Sequence, residues 1–205
     1  TAVKYTRTLS WKSGTPSSLK YGATGTAAVD VSGSGGTAGT VSYASASTNY
    51  LTINASTGAL TVAAAGGSSK ITATLARTAT VKQVTVETTI STTKANATFA
   101  WKTSGVSSTT ANPGGTVNVA NYIKDNKGTV TYKIATNGTT TASSLSGSTV
   151  TVGAMSTTDD NNQTVTVTCT DPGNSNYNGT SLTFTITATK YTRSLSWTDA
   201  TPSSI

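Results

Sequence analysis

Lys4-Tyr5-Thr6-Arg7-Thr8-Leu9-Ser10-Trp11 returns almost unchanged as Lys190-Tyr191-Thr192-Arg193-Ser194-Leu195-Ser196-Trp197, and Thr15-Pro16-Ser17-Ser18-Leu19 returns as Thr201-Pro202-Ser203-Ser204-Ile205. A self-match spaced by 186 residues is the mark of a tandem array and decides the architecture before any local structure is read. Midway lies a weaker copy, Lys94-Ala95-Asn96-Ala97-Thr98-Phe99-Ala100-Trp101, so Trp11, Trp101 and Trp197 stand 90 and 96 residues apart. The expected organisation is a domain over 1–93, a second over 94–189, and in 190–205 the first strand of a further repeat.

Within each unit the signal is alternation of apolar and polar residues bounded by Gly, Asn and Ser clusters, the pattern of short half-buried strands. Strands are expected near 7–12, 26–32, 39–44, 50–53, 59–63, 69–76 and 81–90, and again near 97–102, 115–120, 128–134, 143–146, 149–152, 163–170 and 181–188. Seven strands in about 90 residues predict an all-β chain of Greek-key sandwiches with almost no helix. Inward positions would be Val84, Val86 and Ile90 in one unit, and Val165, Val167, Leu182, Phe184 and Ile186 in the other. Gly33-Ser34-Gly35-Gly36 falls between two strands and reads as a flexible hairpin loop.

Composition agrees. Among 205 residues there are 48 Thr and 27 Ser, with 35% hydrophobic and 10% charged residues. A β-branched hydroxyl residue suits the solvated face of a pleated sheet, so abundant Thr needs no ligand to explain it. A flat Thr-x-Thr ice-binding array needs many short repeats in register, whereas Thr72-Ala73-Thr74 and Thr183-Phe184-Thr185-Ile186-Thr187 stand far apart. No window is apolar for 18 residues, so no membrane insertion is expected. Thr1-Ala2-Val3-Lys4-Tyr5, without an initiator Met or an apolar signal core, reads as a piece of a longer chain. The net charge of +7 is spread along the sequence. No cluster of Lys and Arg interleaved with aromatics offers a nucleic-acid groove, which leaves solubility or weak attraction to anionic surfaces.

Residues 40–75 carry a resemblance. Thr40-Val41-Ser42-Tyr43-Ala44-Ser45-Ala46-Ser47, Leu51-Thr52-Ile53-Asn54-Ala55-Ser56-Thr57-Gly58-Ala59-Leu60 and Gly66-Gly67-Ser68-Ser69-Lys70-Ile71-Thr72-Ala73-Thr74-Leu75 resemble the bacterial immunoglobulin-like group 2 repeats. The second unit follows that pattern loosely, with Asp159-Asp160-Asn161-Asn162 in place of the Gly-rich turn. The resemblance implies tandem immunoglobulin-like β-sandwiches of the kind found in bacterial surface proteins, adhesins, secreted-enzyme stalks and phage virion proteins. It implies an extracellular, cell-surface or virion location and no shared catalytic residue.

Chemistry is sparse. The chain has no His, which removes the usual general base, the common zinc ligand and every Ser-His or Cys-His arrangement. The seven acids are scattered over different turns and strands, so no enzyme and no cofactor is expected. Asp159 and Asp160 are the weak candidate for a metal, since hard oxygen ligands in a loop suit Ca²⁺, although Asp and Asn are also ordinary turn formers. A Lys-Asn isopeptide bond needs a core carboxylate, and Glu87 is the sole Glu. Cys169 sits within an alternating run and reads as a buried structural thiol. Asn-x-Ser/Thr sequences at Asn54, Asn96, Asn137, Asn162 and Asn178 read as incidental.

Aromatic faces stack on sugar rings, which makes Trp11 and Tyr50 the candidate binding residues. Against this, the Trp recurs at one position of each unit, as a core or junction residue does. The expected role is a non-catalytic spacer or adhesion segment whose partners are neighbouring repeats or copies of itself. A module binding surface glycans or a protein receptor is the alternative. The last strand of the first unit runs through Ser91-Thr92-Thr93-Lys94 without a Pro-rich or Gly/Ser-rich linker, so closely coupled neighbours are expected.

Overall fold

A computed structural model describes residues 3–158 and 160–196. The chain forms two compact units, one holding residues up to Ala97 together with Pro172–Gly179, the other Thr98–Asp171 and the residues from Thr180 onward. Each is an immunoglobulin-like Greek-key sandwich, and the only helical turn among the described residues is the 3-10 turn Val119–Tyr122.

The first unit opens with β1 (Thr8–Trp11), which pairs antiparallel with β4 (Val29–Ser32). Beyond Gly14 and Pro16 the chain changes layer and forms β2 (Ser18–Lys20). The four-stranded sheet runs β2, β9 (Val84–Thr93), β8 (Ser68–Leu75), β5 (Val41–Ser45). Opposite it are β3 (Thr24–Thr26), β7 (Ala59–Val62) and β6 (Leu51–Ile53). A single run was expected over 26–32; the structure breaks it at Ala27 and Ala28. There Ala27 N donates to Gly58 O at 2.9 Å and Ala28 exchanges hydrogen bonds with the Thr15 hydroxyl. The two layers enclose one apolar cluster of Ala27, Leu51, Leu60, Val62, Ile71 and Ile90, and a second of Leu9, Leu75 and Val81. Such burial of alternate residues from facing sheets is the main stabilising term of a sandwich. A short parallel pair, β10 (Ala95–Asn96) with β19 (Tyr177–Asn178), also belongs to this unit.

The second unit repeats the plan. β11 (Ala100–Trp101) pairs with β14 (Ile123–Lys124). The four-stranded sheet runs β12 (Ser108–Ala111), β20 (Thr180–Ala188), β18 (Gln163–Asp171), β15 (Thr131–Asn137). The three-stranded sheet is β13 (Thr116–Asn118), β17 (Thr149–Thr151), β16 (Ser144–Ser146). Val165, Val167, Phe184, Ile186 and Ile90 are fully buried, while Val84, Val86 and Leu182 are half-buried.

Gly33-Ser34-Gly35-Gly36 is not a hairpin loop, because β4 and β5 belong to different sheets. Nor is it loose: the Arg7 guanidinium donates to the carbonyls of Gly33, Gly35 and Gly36. All three glycines have positive φ (+102°, +82°, +67°), a conformation L side chains rarely adopt, and it turns the carbonyls onto one cation.

Candidate functional site

Trp11 closes β1 at the edge of the first unit's core. Its indole is half-buried against that cluster, with its ring centroid 6.4 Å from Tyr43 and the planes 33° apart. Its N–H is buried with no hydrogen-bond partner in the protein, a cost that the packing of the large ring offsets. Tyr50 is 36% exposed and lies over Gly67, where an added Cβ would come within 2.4 Å of the ring. The two candidate aromatics thus have different partners, and each is engaged in packing.

In the second unit Trp101 takes the place of Trp11. Its ring lies 5.5 Å from Phe184, and Tyr122 lies 4.6 Å from Phe184 on the other contact. Phe99, Trp101 and Leu182 form the apolar wall of an open pocket of about 360 Å³, with Gly105 and Lys124 on its lining. The arrangement suits an apolar or aromatic group with an acceptor for the Lys124 ammonium. It holds no carboxylate, thiol or imidazole. The third repeated Trp, Trp197, lies outside the described residues.

The acidic cluster is placed only in part. Asp159 lies outside the described residues, and Asp160 is exposed, its Oδ1 3.0 Å from Lys190 Nζ. Among the described residues no three His, Cys, Asp or Glu side chains converge as metal ligands do. Glu87 sits on the solvated face of β9, 3.0 Å from Lys70 Nζ and accepting from the Thr72 hydroxyl at 3.4 Å, rather than in the core. Cys169 is fully buried in β18, and burial pushes its thiol up to about 11; burial and then the neighbouring Cys169 raise Tyr132.

The most consequential polar residue went unread in the sequence. Asp171 ends β18 fully buried, its Oδ2 accepting from Lys127 N at 2.7 Å and its Oδ1 from Gly128 N at 2.8 Å. It fixes the turn over 125–128, in which Asp125 has φ +61°. The signal was an acid closing the series Val165, Val167, Cys169, Asp171. The strand expected over 163–170 stops one residue short of it.

No family model matches the chain, and no curated protein matches it either. Solved structures do. The protocadherin GammaB4 extracellular domain aligns over 91% of this chain and 35% of its own at 16% identity and TM-score 0.34, so the chain spans about a third of its length. Human protocadherin-24 EC1-2 aligns over 90% of this chain and 98% of that one, at 16% identity and TM-score 0.35. Drosophila N-cadherin EC1-4 aligns over 92% of this chain and 50% of that one, at 13% identity and TM-score 0.39. Scores of this size carry no argument about family or function.

Proposed function

We propose that the chain is a segment of an extracellular, non-catalytic spacer or adhesion protein of a bacterial surface, filament or virion, in which sandwich units repeat to give reach. One observation carries the reading. In both units an early strand lies parallel to the last one: Ser18–Lys20 pairs with Ser91–Thr93, and Ser108–Ala111 pairs with Thr185–Ala188. Tension along the chain pulls such a pair in opposite directions along its length. Its hydrogen bonds are then sheared together rather than opened one at a time, the geometry that resists pulling.

The open pocket beside Trp101 favours a second reading, a module that binds a sugar or a protein side chain. Binding of the intact chain to a glycan array and to cell-wall fractions separates the two. The spacer reading predicts that no signal depends on the aromatics. Micromolar binding that disappears in Trp101→Ala or Tyr50→Ala, with the strand signature in circular dichroism kept, would replace it with the binding module.

A further inference from the structure

The pocket of the second unit opens where the first unit carries a salt bridge. Across β1 and β4, Trp11 faces Val29 and Ser10 faces Asp30; across β11 and β14, Trp101 faces Ile123 and Ala100 faces Lys124. The residue after each Trp bonds to the same partner strand, Lys12 N donating to Ala28 O at 2.9 Å and Lys102 N to Tyr122 O at 2.7 Å. Lys102 therefore stands in the place of Lys12, and Lys124 in the place of Asp30.

In the first unit these two positions neutralise each other, with Lys12 Nζ 3.5 Å from Asp30 Oδ1. The second unit keeps the cation and puts another cation where the anion was. Both lysines are exposed, and among the described residues neither makes an ion pair, the adjacent Asp125 included. Like charges on neighbouring cross-strand positions repel, so an anion seated between them is favoured. Beside Lys124 the lining turns apolar: Phe99, Trp101 and Leu182 form one wall, and the exposed Ser104 adds a hydroxyl. An aromatic face and a cation thus meet in one cavity of about 360 Å³.

We infer that this pocket binds a carboxylated sugar of the uronic-acid class, with the C–H face of the ring against Trp101 and Leu182 and the carboxylate at Lys124 and Lys102. The negative face of the indole suits the polarised C–H groups of a sugar ring. An acidic peptide side chain would meet the charge but leave most of the cavity unfilled, and a neutral sugar would fill the cavity but leave the two ammonium groups facing each other. The inference rests on the binding reading of this pocket given above, and adds the charge and class of its ligand.

The test is a titration of the full chain at low ionic strength, where exposed charges are least screened, with galacturonic acid trisaccharide and with the same trisaccharide methyl-esterified. Calorimetry reads affinity, and the indole N–H resonance of Trp101 reads location. The acid is expected to shift that resonance and to bind at least about tenfold more tightly than the ester. Lys124→Asp, which copies the first unit's own residue and gives Lys102 a partner, is expected to weaken the acid about tenfold and leave the ester unchanged. Lys133→Asp, the same change of charge at an exposed position of β15, is expected to leave both unchanged. Equal losses in the two variants would overturn the inference, because net charge and not the pocket would then attract the acid. Acid and ester that bind alike, both shifting Trp101, would overturn it while the binding reading stands. If neither sugar binds, the inference falls together with the sugar form of that reading.

Discussion

The amide of Gly128 donates to Oδ1 of Asp171 at 2.8 Å, in a core register where the first unit holds Leu75. The correspondence follows from pairing: Leu75 faces Val84 and Asp171 faces Thr180, six residues before the core isoleucines Ile90 and Ile186 of their strands. One unit closes that end of its sandwich with an apolar side chain and the other with a carboxylate capping a turn.

Removing that carboxylate leaves two half-buried N–H donors, those of Lys127 and Gly128, without their acceptor. Asp171→Ala is expected to destabilise the second unit by about 2–4 kcal/mol, and Asp171→Leu, although it copies Leu75, by a similar amount, because unpaired donors keep their desolvation cost. Urea unfolding should show the second unit's transition at lower denaturant and the first unit's in place. An unchanged second transition would mean that the turn finds other acceptors.

Two hairpin glycines separate conformational strain from steric contact. Gly147 has φ +59° and open space where a Cβ would stand, whereas Gly58 has φ +72° and a Cβ there would lie 2.0 Å from Ala27 O. Gly147→Ala is expected to cost about 1 kcal/mol, the strain of the left-handed region alone. Gly58→Ala must also displace the Ala27 carbonyl, so a loss above about 3 kcal/mol is expected. Equal shifts in melting temperature would refute the distinction.

Burial of Cys169 gives the stability an alkaline edge. The folded thiol ionises near 11 and the unfolded one near 9, so below 9 both states hold the proton and the stabilisation is complete. As pH rises from about 9 to about 11 the unfolded state loses its proton first, and up to about 2–3 kcal/mol is lost. The raised Tyr132 adds to the loss in the same direction. Cys169→Ala should flatten the decline over that window. In the native protein at pH 8 a thiol reagent should react with Cys169 only as fast as the unit opens.

The elements that the sequence made legible are those whose apolar residues alternate over a long run. Val165 and Val167 in β18, with Phe184 and Ile186 in β20, state both their strand and their inward face locally. β2 and β12 do not. Ser18-Leu19-Lys20 and Ser108-Thr109-Thr110-Ala111 contain little apolar signal, and what makes them strands is parallel pairing with residues about 75 positions later. The glycine loop was misread for the same reason, since the cation that orders it, Arg7, lies 26 to 29 residues away. Trp11 and Tyr50 were legible as aromatics, but their contacts with Tyr43 and Gly67 depend on how the sheets face. The Phe99, Trp101 and Leu182 pocket joins strands at the two ends of the second unit, a proximity that no local pattern encodes.

Pulling one chain by its two ends tests the spacer account most directly. The parallel terminal pairs predict two separate unfolding events, each releasing about 30 nm of chain for roughly 90 residues at about 3.4 Å per residue, and each at a force well above that of the same units pulled so that β8 and β9 unzip from their turn. A single event of about 60 nm, or units that yield as readily end to end as they do when unzipped, would contradict it.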